Sequence, residues 1–208
     1  MTRLIDLVVG SVALLVSAPV LLVSMVAIRI ESPGSPIYRQ RRIGRHGDAF
    51  EMLKLRTMVT GAEHQGAGLA VNYGDPRITR VGRVLRRFSI DELPNLVNVL
   101  RGDMAIVGPR PTVQVQVAQY TDRQRGRLAV PPGITGWAQV RGRAALPWHE
   151  RIELDLWYVD NWSLWLDLKI LAMTAALLVS GRGLYRGTTG GWKPATPEAL
   201  TDVEKDRD

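Results

Sequence analysis

The chain has 208 residues, 27 basic against 20 acidic side chains, a net charge of +7 and no cysteine. That length holds one catalytic or binding domain plus a membrane element, while the missing cysteines exclude disulfides and thiolate metal sites; the three histidines, His46, His64 and His149, lack metal-binding spacing. The positive surplus, 23 Arg and 4 Lys, suits anionic partners (phosphates, nucleic acid or an anionic membrane surface), and arginine grips phosphate with a planar two-bond fork, although a GC-rich genome produces the same bias.

Residues 7–28 carry no charge. As a helix rising about 1.5 Å per residue they reach roughly 33 Å, enough to cross a hydrocarbon core of about 30 Å. Pro19 lies at the middle and has no N–H, so it can break the helix into two legs, each too short to cross. Two arrangements follow: a plain span with a tolerated kink, or a re-entrant element that returns to the face it entered. Arg29, Arg39, Arg41, Arg42 and Arg45 follow the run and place the body of the protein on the cytoplasmic side. Arg3, on the other flank, is awkward for a full crossing and comfortable for re-entry. A cleaved signal peptide is not expected, because the apolar stretch exceeds a typical h-region and no small-x-small site precedes the basic tract.

Beyond the run, Glu31-Ser32-Pro33-Gly34-Ser35-Pro36 reads as a turn. Residues 36–39 and 49–56 read as two strands of a hairpin around a Gly44–Gly47 turn. Residues 61–75 form a polar, Gly-rich loop. Residues 78–88 are basic with apolar spacing, a helix suited to lie along anionic headgroups. Helices are expected over 93–100, 113–128 and 149–161. Residues 165–180 are strongly apolar but include Asp167 and Lys169, which favours a helix in the interface or packed on the domain over a second span. All six tryptophans lie at position 137 or later; each singly reads as core, and their clustering beside an apolar helix points to the membrane boundary.

The chemistry concentrates in Arg86-Arg87-Phe88-Ser89-Ile90-Asp91-Glu92-Leu93-Pro94, Arg101-Gly102-Asp103-Met104 and Val107-Gly108-Pro109-Arg110-Pro111. Adjacent carboxylates stand among many cations, which hold acids ionised. An ionised Asp91 can attack phosphorus and an ionised Glu92 can hold Mg2+. The simpler reading is a capping box from Ser89 to Glu92, or Asp91 itself as the cap of a helix starting at Glu92. Pro109 and Pro111 fix the backbone on either side of Arg110.

These blocks, with Tyr38-Arg39-Gln40-Arg41-Arg42-Ile43-Gly44, Lys54-Leu55-Arg56-Thr57-Met58, Pro132-Gly133-Ile134-Thr135-Gly136-Trp137-Ala138-Gln139-Val140, Glu153-Leu154-Asp155 and Asp167-Leu168-Lys169, resemble the bacterial sugar transferases that start glycan assembly on a lipid carrier, the monotopic phosphoglycosyl transferases. The likeness runs from about residue 4 to 180 and is closest to compact members that have only the catalytic domain. It implies transfer of a sugar 1-phosphate from a nucleotide diphosphate sugar, a UDP-sugar in most members, to polyprenol phosphate, releasing UMP, through a covalent aspartyl phosphosugar. Asp91 matches the nucleophile and Glu92 its partner, which places Mg2+. Arg86, Arg110 with Pro109 and Pro111, and Lys54 and Arg56 are candidate phosphate and nucleotide contacts; Asp91 and Asp167 are further candidate metal ligands.

The resemblance also implies a mostly α-helical α/β fold. A re-entrant helix-break-helix over residues 1–30, broken at Ser17 and Pro19, would precede a cytoplasmic catalytic domain over 31–186 with a short β-hairpin and interfacial amphipathic helices. A flexible tail would occupy 187–208. The setting implied is the cytoplasmic face of a bacterial inner membrane, with membrane lipid as partner, no nucleic acid, and a homodimer allowed. The chain departs from the family at Ala18, where a serine precedes the proline, at Pro131, and at Arg141 and Ala144. The rival expectation is a non-catalytic, membrane-anchored basic module binding anionic lipid or nucleic acid; the Asp91-Glu92 pair argues against it, since carboxylates repel phosphates unless a metal intervenes.

Overall fold

The computed structural model describes residues 2–62, 74–142 and 146–180. Most of the 61–75 loop, His64, Arg143, Ala144, Trp192 and the 187–208 tail lie outside the described residues. Helix α1 spans Thr2–Glu31 and includes Pro19. It is helical throughout, so the expected break at Ser17 and Pro19 is not a break in the helix. Proline withdraws only its own donor, and the apolar residues on either side continue the hydrogen-bonded ladder. The Ser17 hydroxyl donates to the Leu14 carbonyl at 3.2 Å, not to that of Leu15, which the proline leaves without its usual donor.

Both ends of α1 touch the globular body. Near the start, Arg3 donates to the Leu100 carbonyl at 2.8 Å and to that of Val99, and Asp6 accepts the Ile106 N–H at 3.0 Å. Near the end, Ile28 is buried against Leu55 and Leu85. Between them Val12, Leu15, Val16, Leu22 and Val23 are exposed. Among the described residues α1 is the one helix long and apolar enough to cross a bilayer.

The hairpin is longer than its sequence suggests. Strand β1 covers Ile37–Ile43 and β2 covers Ala49–Leu55, antiparallel, with Tyr38 opposite Lys54, Gln40 opposite Met52 and Arg42 opposite Phe50. Opposed residues share a face, so Met52 reaches the core with Val99 and Met104 while Tyr38 and Lys54 stand beside it. Helix α2, Arg80–Arg87, starts on the Thr79 hydroxyl. The Glu31 carboxylate takes its Arg80 and Val81 N–H groups at 2.7 and 3.0 Å, so the end of α1 caps α2. Gly82 lets α2 lie directly on the hairpin exit: a Cβ there would sit 2.1 Å from the Thr57 carbonyl oxygen. Backbone meets backbone, so neither side can yield. Gly82→Ala is expected to cost about 3 kcal/mol of stability, read as a lowered thermal midpoint in detergent.

Helix α3, Asn95–Arg101, is sewn to the hairpin by Asn98, whose side chain accepts from Leu53 N–H at 3.0 Å and donates to the Glu51 carbonyl at 2.7 Å. A second, parallel sheet pairs β3, Ala105–Val107, with β4, Gly133–Thr135; three-residue strands leave no periodic signature in sequence. The single helix expected over 113–128 is instead α4, Gln114–Val117, and α5, Asp122–Arg125, followed by a 3-10 turn. Thr121 and Gln124 form a capping box that begins a new helix in mid-segment.

Helix α6 is Trp137–Arg141, α7 is Trp148–Asp160 and α8 is Leu164–Ser180. Helix α8 packs on the domain through Leu166 and Ile170, which join Trp137, Val140 and Tyr158 in the core. The tryptophans divide: Trp137 is buried, whereas Trp157, Trp162 and Trp165 are exposed.

Candidate active site

The chain turns sharply at Ser89, a non-glycine residue in the left-handed region at φ 53°, and runs through a 3-10 turn over Ile90–Glu92. Ser89 makes no capping bond and α3 starts only at Asn95. Neither the capping box nor Asp91 as a cap is realised; the turn instead brings Glu92 beside Lys54 of β2 and Arg110.

There Glu92 Oε1 accepts from Lys54 Nζ at 2.8 Å and from Arg110 Nη2 at 2.7 Å. Burial would raise the Glu92 carboxyl, but the Arg110 and Lys54 cations hold it well below the usual carboxylate range. Asp91 is the opposite case. Burial and the Glu92 charge push it up to about 6, against the pull of Lys54, Arg86 and Arg110. Among the described residues it takes no hydrogen bond, so both of its oxygens are uncommitted. Glu92 organises the cations, and Asp91 is left free beside them.

Arg86 donates to Thr57 Oγ1 at 2.8 Å and faces Asp91 as one of its neighbouring cations. Arg42, not expected from sequence as a site residue, joins this group. Burial, with the Arg110 charge, lowers it to about 10, and it is steadied by Gln40 Oε1 at 2.6 Å. Its signal was register: Tyr38, Gln40 and Arg42 alternate along one face of β1, the face of Lys54. Four cations and two carboxylates leave net positive charge, which matches a diphosphate.

Arg110 is positioned from behind. Gly108 packs so tightly that a Cβ would lie 2.5 Å from the Pro131 carbonyl oxygen, and the Pro109 carbonyl accepts the Gly133 N–H at 2.9 Å. The Arg110 carbonyl accepts from Arg127 Nη2 at 3.0 Å. Arg127 also pairs with the buried Asp155 and donates to Tyr120, whose hydroxyl donates to Thr112 Oγ1 at 3.2 Å. Pro109, Pro111 and this buried network frame the loop; Asp155 falls in a block that matches the family, whereas the roles of Arg127 and Tyr120 follow from contacts between segments and carry no local sequence signal.

Two expected site residues have partners of their own. Arg56 ties off the turn after α1, donating to the Ser32 carbonyl at 2.8 Å and also to Pro33. Asp167 accepts from Tyr158 at 2.8 Å and from Trp162 Nε1 at 3.0 Å at the start of α8. Among the described residues no group of three or more His, Cys, Asp or Glu side chains is placed to enclose a metal. The donor set still fits Mg2+, which is held by one or two carboxylates together with substrate phosphates: Asp91 offers two free oxygens and Glu92 one.

Comparison with known proteins identifies the family. The family model described as bacterial sugar transferase matches residues 1–181. The chain is 43% identical over 185 residues to the uncharacterized sugar transferase EpsL of Bacillus subtilis, covering 88% of this chain and 90% of that protein. It is 43% identical over 192 residues to a UDP-glucose:undecaprenyl-phosphate glucose-1-phosphate transferase of Caulobacter vibrioides, covering 88% of this chain and 71% of the relative. It is 41% identical over 188 residues to a UDP-N-acetylgalactosamine-undecaprenyl-phosphate N-acetylgalactosaminephosphotransferase of Aeromonas hydrophila, covering 87% of this chain but 44% of that longer protein.

Proposed function

Because the chain belongs to the bacterial sugar transferase family, we propose that it moves a sugar 1-phosphate from a UDP-sugar to polyprenol phosphate, giving a polyprenol diphosphate sugar and UMP, through a covalent intermediate on Asp91. The reaction named for the Caulobacter vibrioides and Aeromonas hydrophila relatives supports the donor and acceptor classes; their different sugars leave the sugar open. The observation that carries the reading is the unequal state of the two carboxylates: Glu92 is bonded to Lys54 and Arg110, and Asp91 is free.

In the first step an Asp91 oxygen forms a bond to the phosphorus that bears the sugar, and the bond to the bridging oxygen breaks. UMP leaves with that electron pair. In the second step an acceptor phosphate oxygen bonds to the same phosphorus and the Asp91–phosphorus bond breaks, restoring the carboxylate. Arg110, Lys54, Arg86 and Arg42 offset the charge of the donor diphosphate and of the incoming phosphate, which would otherwise repel each other and Asp91. Mg2+, held by Asp91 and Glu92 with the donor phosphates, would add further charge neutralisation there. The nucleophile needs its charge, and below about 6 the Asp91 carboxyl holds its proton. The rate at low donor concentration should therefore rise about tenfold per pH unit up to about 6 and level off above it, measured as UMP release against pH.

The re-entrant arrangement is part of the proposal. Arg3 and Asp6 bond to the body at one end of α1 and Glu31 at the other, whereas a plain span would carry Arg3 to the far side of the bilayer. The exposed apolar middle would dip into the lipid, with any change of direction a kink at Pro19 within a continuous helix. Exposed Val84 and Phe88 on α2 and Trp165 on α8 suit the headgroup zone on the cytoplasmic face of the inner membrane. A Thr2→Cys variant, in a chain with no other cysteine, should resist an impermeant thiol reagent in intact cells; labelling from outside would refute re-entry. For the reaction, purified protein with polyprenol phosphate, Mg2+ and a panel of UDP-sugars should release UMP with at least one donor, and silence across the panel would refute the assignment.

A further inference from the structure

Two cations stand over one buried indole. The Arg141 guanidinium carbon lies 4.4 Å from the Trp137 ring centre and the Lys169 ammonium 5.6 Å from it. Trp157 stacks on the same ring at 5.2 Å with 25° between the planes. Trp137 is buried and serves as a fixed platform, whereas Arg141 at the end of α6 and Lys169 in α8 are exposed. The ring attracts each cation, but like charges gathered on one indole repel each other. Among the described residues neither forms an ion pair with a carboxylate. A guanidinium held over a ring face keeps its N–H donors available at the edge.

The surroundings of this pair indicate what neutralises it. Leu164, Trp165 and Leu168 are exposed on α8 and share one stripe of the helix with Lys169 by its spacing. The buried Leu166 shares a core with Ile106 of β3, the residue whose N–H Asp6 of α1 accepts. The start of α8 therefore lies beside the start of α1, one of the two ends that re-entry places at headgroup depth. We propose that Arg141 and Lys169 bind the phosphate of an anionic phospholipid, with Trp165 and Leu168 against its acyl chains. The proposal rests on the membrane placement given above and not on the reaction. A zwitterionic lipid brings its own cation, which the pair repels. An anionic headgroup such as that of phosphatidylglycerol brings a phosphodiester with no compensating charge. Its oxygens take the guanidinium fork of Arg141 and the point charge of Lys169. The bound lipid offsets the repulsion between the two cations and tethers α6 and α8 to the headgroup layer.

Spin-labelled lipids in nanodiscs test this. The unaltered protein should immobilise phosphatidylglycerol in preference to phosphatidylcholine. Arg141→Gln and Lys169→Gln should each lower that preference roughly fivefold, the weight of one cation near an anionic surface. Lys169→Arg, which keeps the charge, should retain it. Arg39→Gln on β1 and Arg125→Gln on α5, which remove exposed charges, should leave it unchanged. An equal fall in those two variants would overturn the proposal, because the attraction would then belong to the net charge alone. So would an unchanged preference in both Arg141→Gln and Lys169→Gln. Displacement of the immobilised lipid by millimolar inorganic phosphate, or by an equimolar amount of polyprenol phosphate, would also overturn it and assign the pair to a soluble anion or to the acceptor. The readout is lipid and not turnover. Absence of UMP release would refute the reaction and leave this site standing, whereas labelling of Thr2→Cys from outside would remove the depth on which the site rests.

Discussion

Asp91→Asn is expected to reduce sugar-phosphate transfer by a factor on the order of 10^4 or more, the scale seen when a covalent nucleophile is removed. An amide keeps the size of the carboxylate but has no charge to give to phosphorus. Asp91 has no hydrogen-bonded partner among the described residues, so the exchange breaks no contact; relieving a buried charge beside Glu92 should leave the thermal midpoint unchanged or slightly raised. The measurement is UMP release together with the melting curve, and mass spectrometry of the protein incubated with donor alone. The unaltered chain should carry the added mass of a phosphosugar and the variant should not. Turnover in the variant would remove Asp91 from the chemistry.

Arg127→Met should be the most damaging change outside the carboxylate turn. Arg127 and Asp155 are 7% and 3% exposed at their side chains, and removing one member of such a pair leaves a charge buried alone, at a cost of about 3–5 kcal/mol. The thermal midpoint should fall by roughly 10 °C. The double variant Arg127→Met/Asp155→Leu separates stability from positioning. With both charges gone, much of the stability should return. The Arg110 carbonyl, however, has lost the donor that held it at 3.0 Å, and a guanidinium displaced by about 1 Å costs on the order of 10^2 in rate. A double variant that is stable and fully active would show that the network serves the fold alone.

Much of this protein is legible along the chain. Local patterns point to the apolar run, the hairpin around Gly44 and Gly47, and helices over 78–88, 93–100 and 149–161, while the family resemblance singles out Asp91, Glu92, Lys54, Arg86 and Arg110. Each of those depends on residues near one another in sequence, or on motifs with fixed spacing. The single helix expected over 113–128 failed because a second cap at Thr121 competes with the apolar periodicity. The type and motif of Arg56 suit phosphate, and the fold gives its guanidinium the Ser32 and Pro33 carbonyls as partners, which no local pattern shows. Arg42 was recoverable by strand register; the β3–β4 pair was not.

The order of residues alone dictates that an apolar helix precedes a basic body with two carboxylates in its midst, since hydropathy and charge are properties of each side chain wherever the chain goes. It does not say which carboxylate is free. That follows from Lys54 and Arg110, 38 and 18 residues away, converging on one oxygen of Glu92, and from Arg127 holding the Arg110 backbone from a third segment. Charge pairing falls off with distance in space and is indifferent to separation along the chain, so only the folded arrangement assigns one acid to hold the cations and leaves its neighbour free to react.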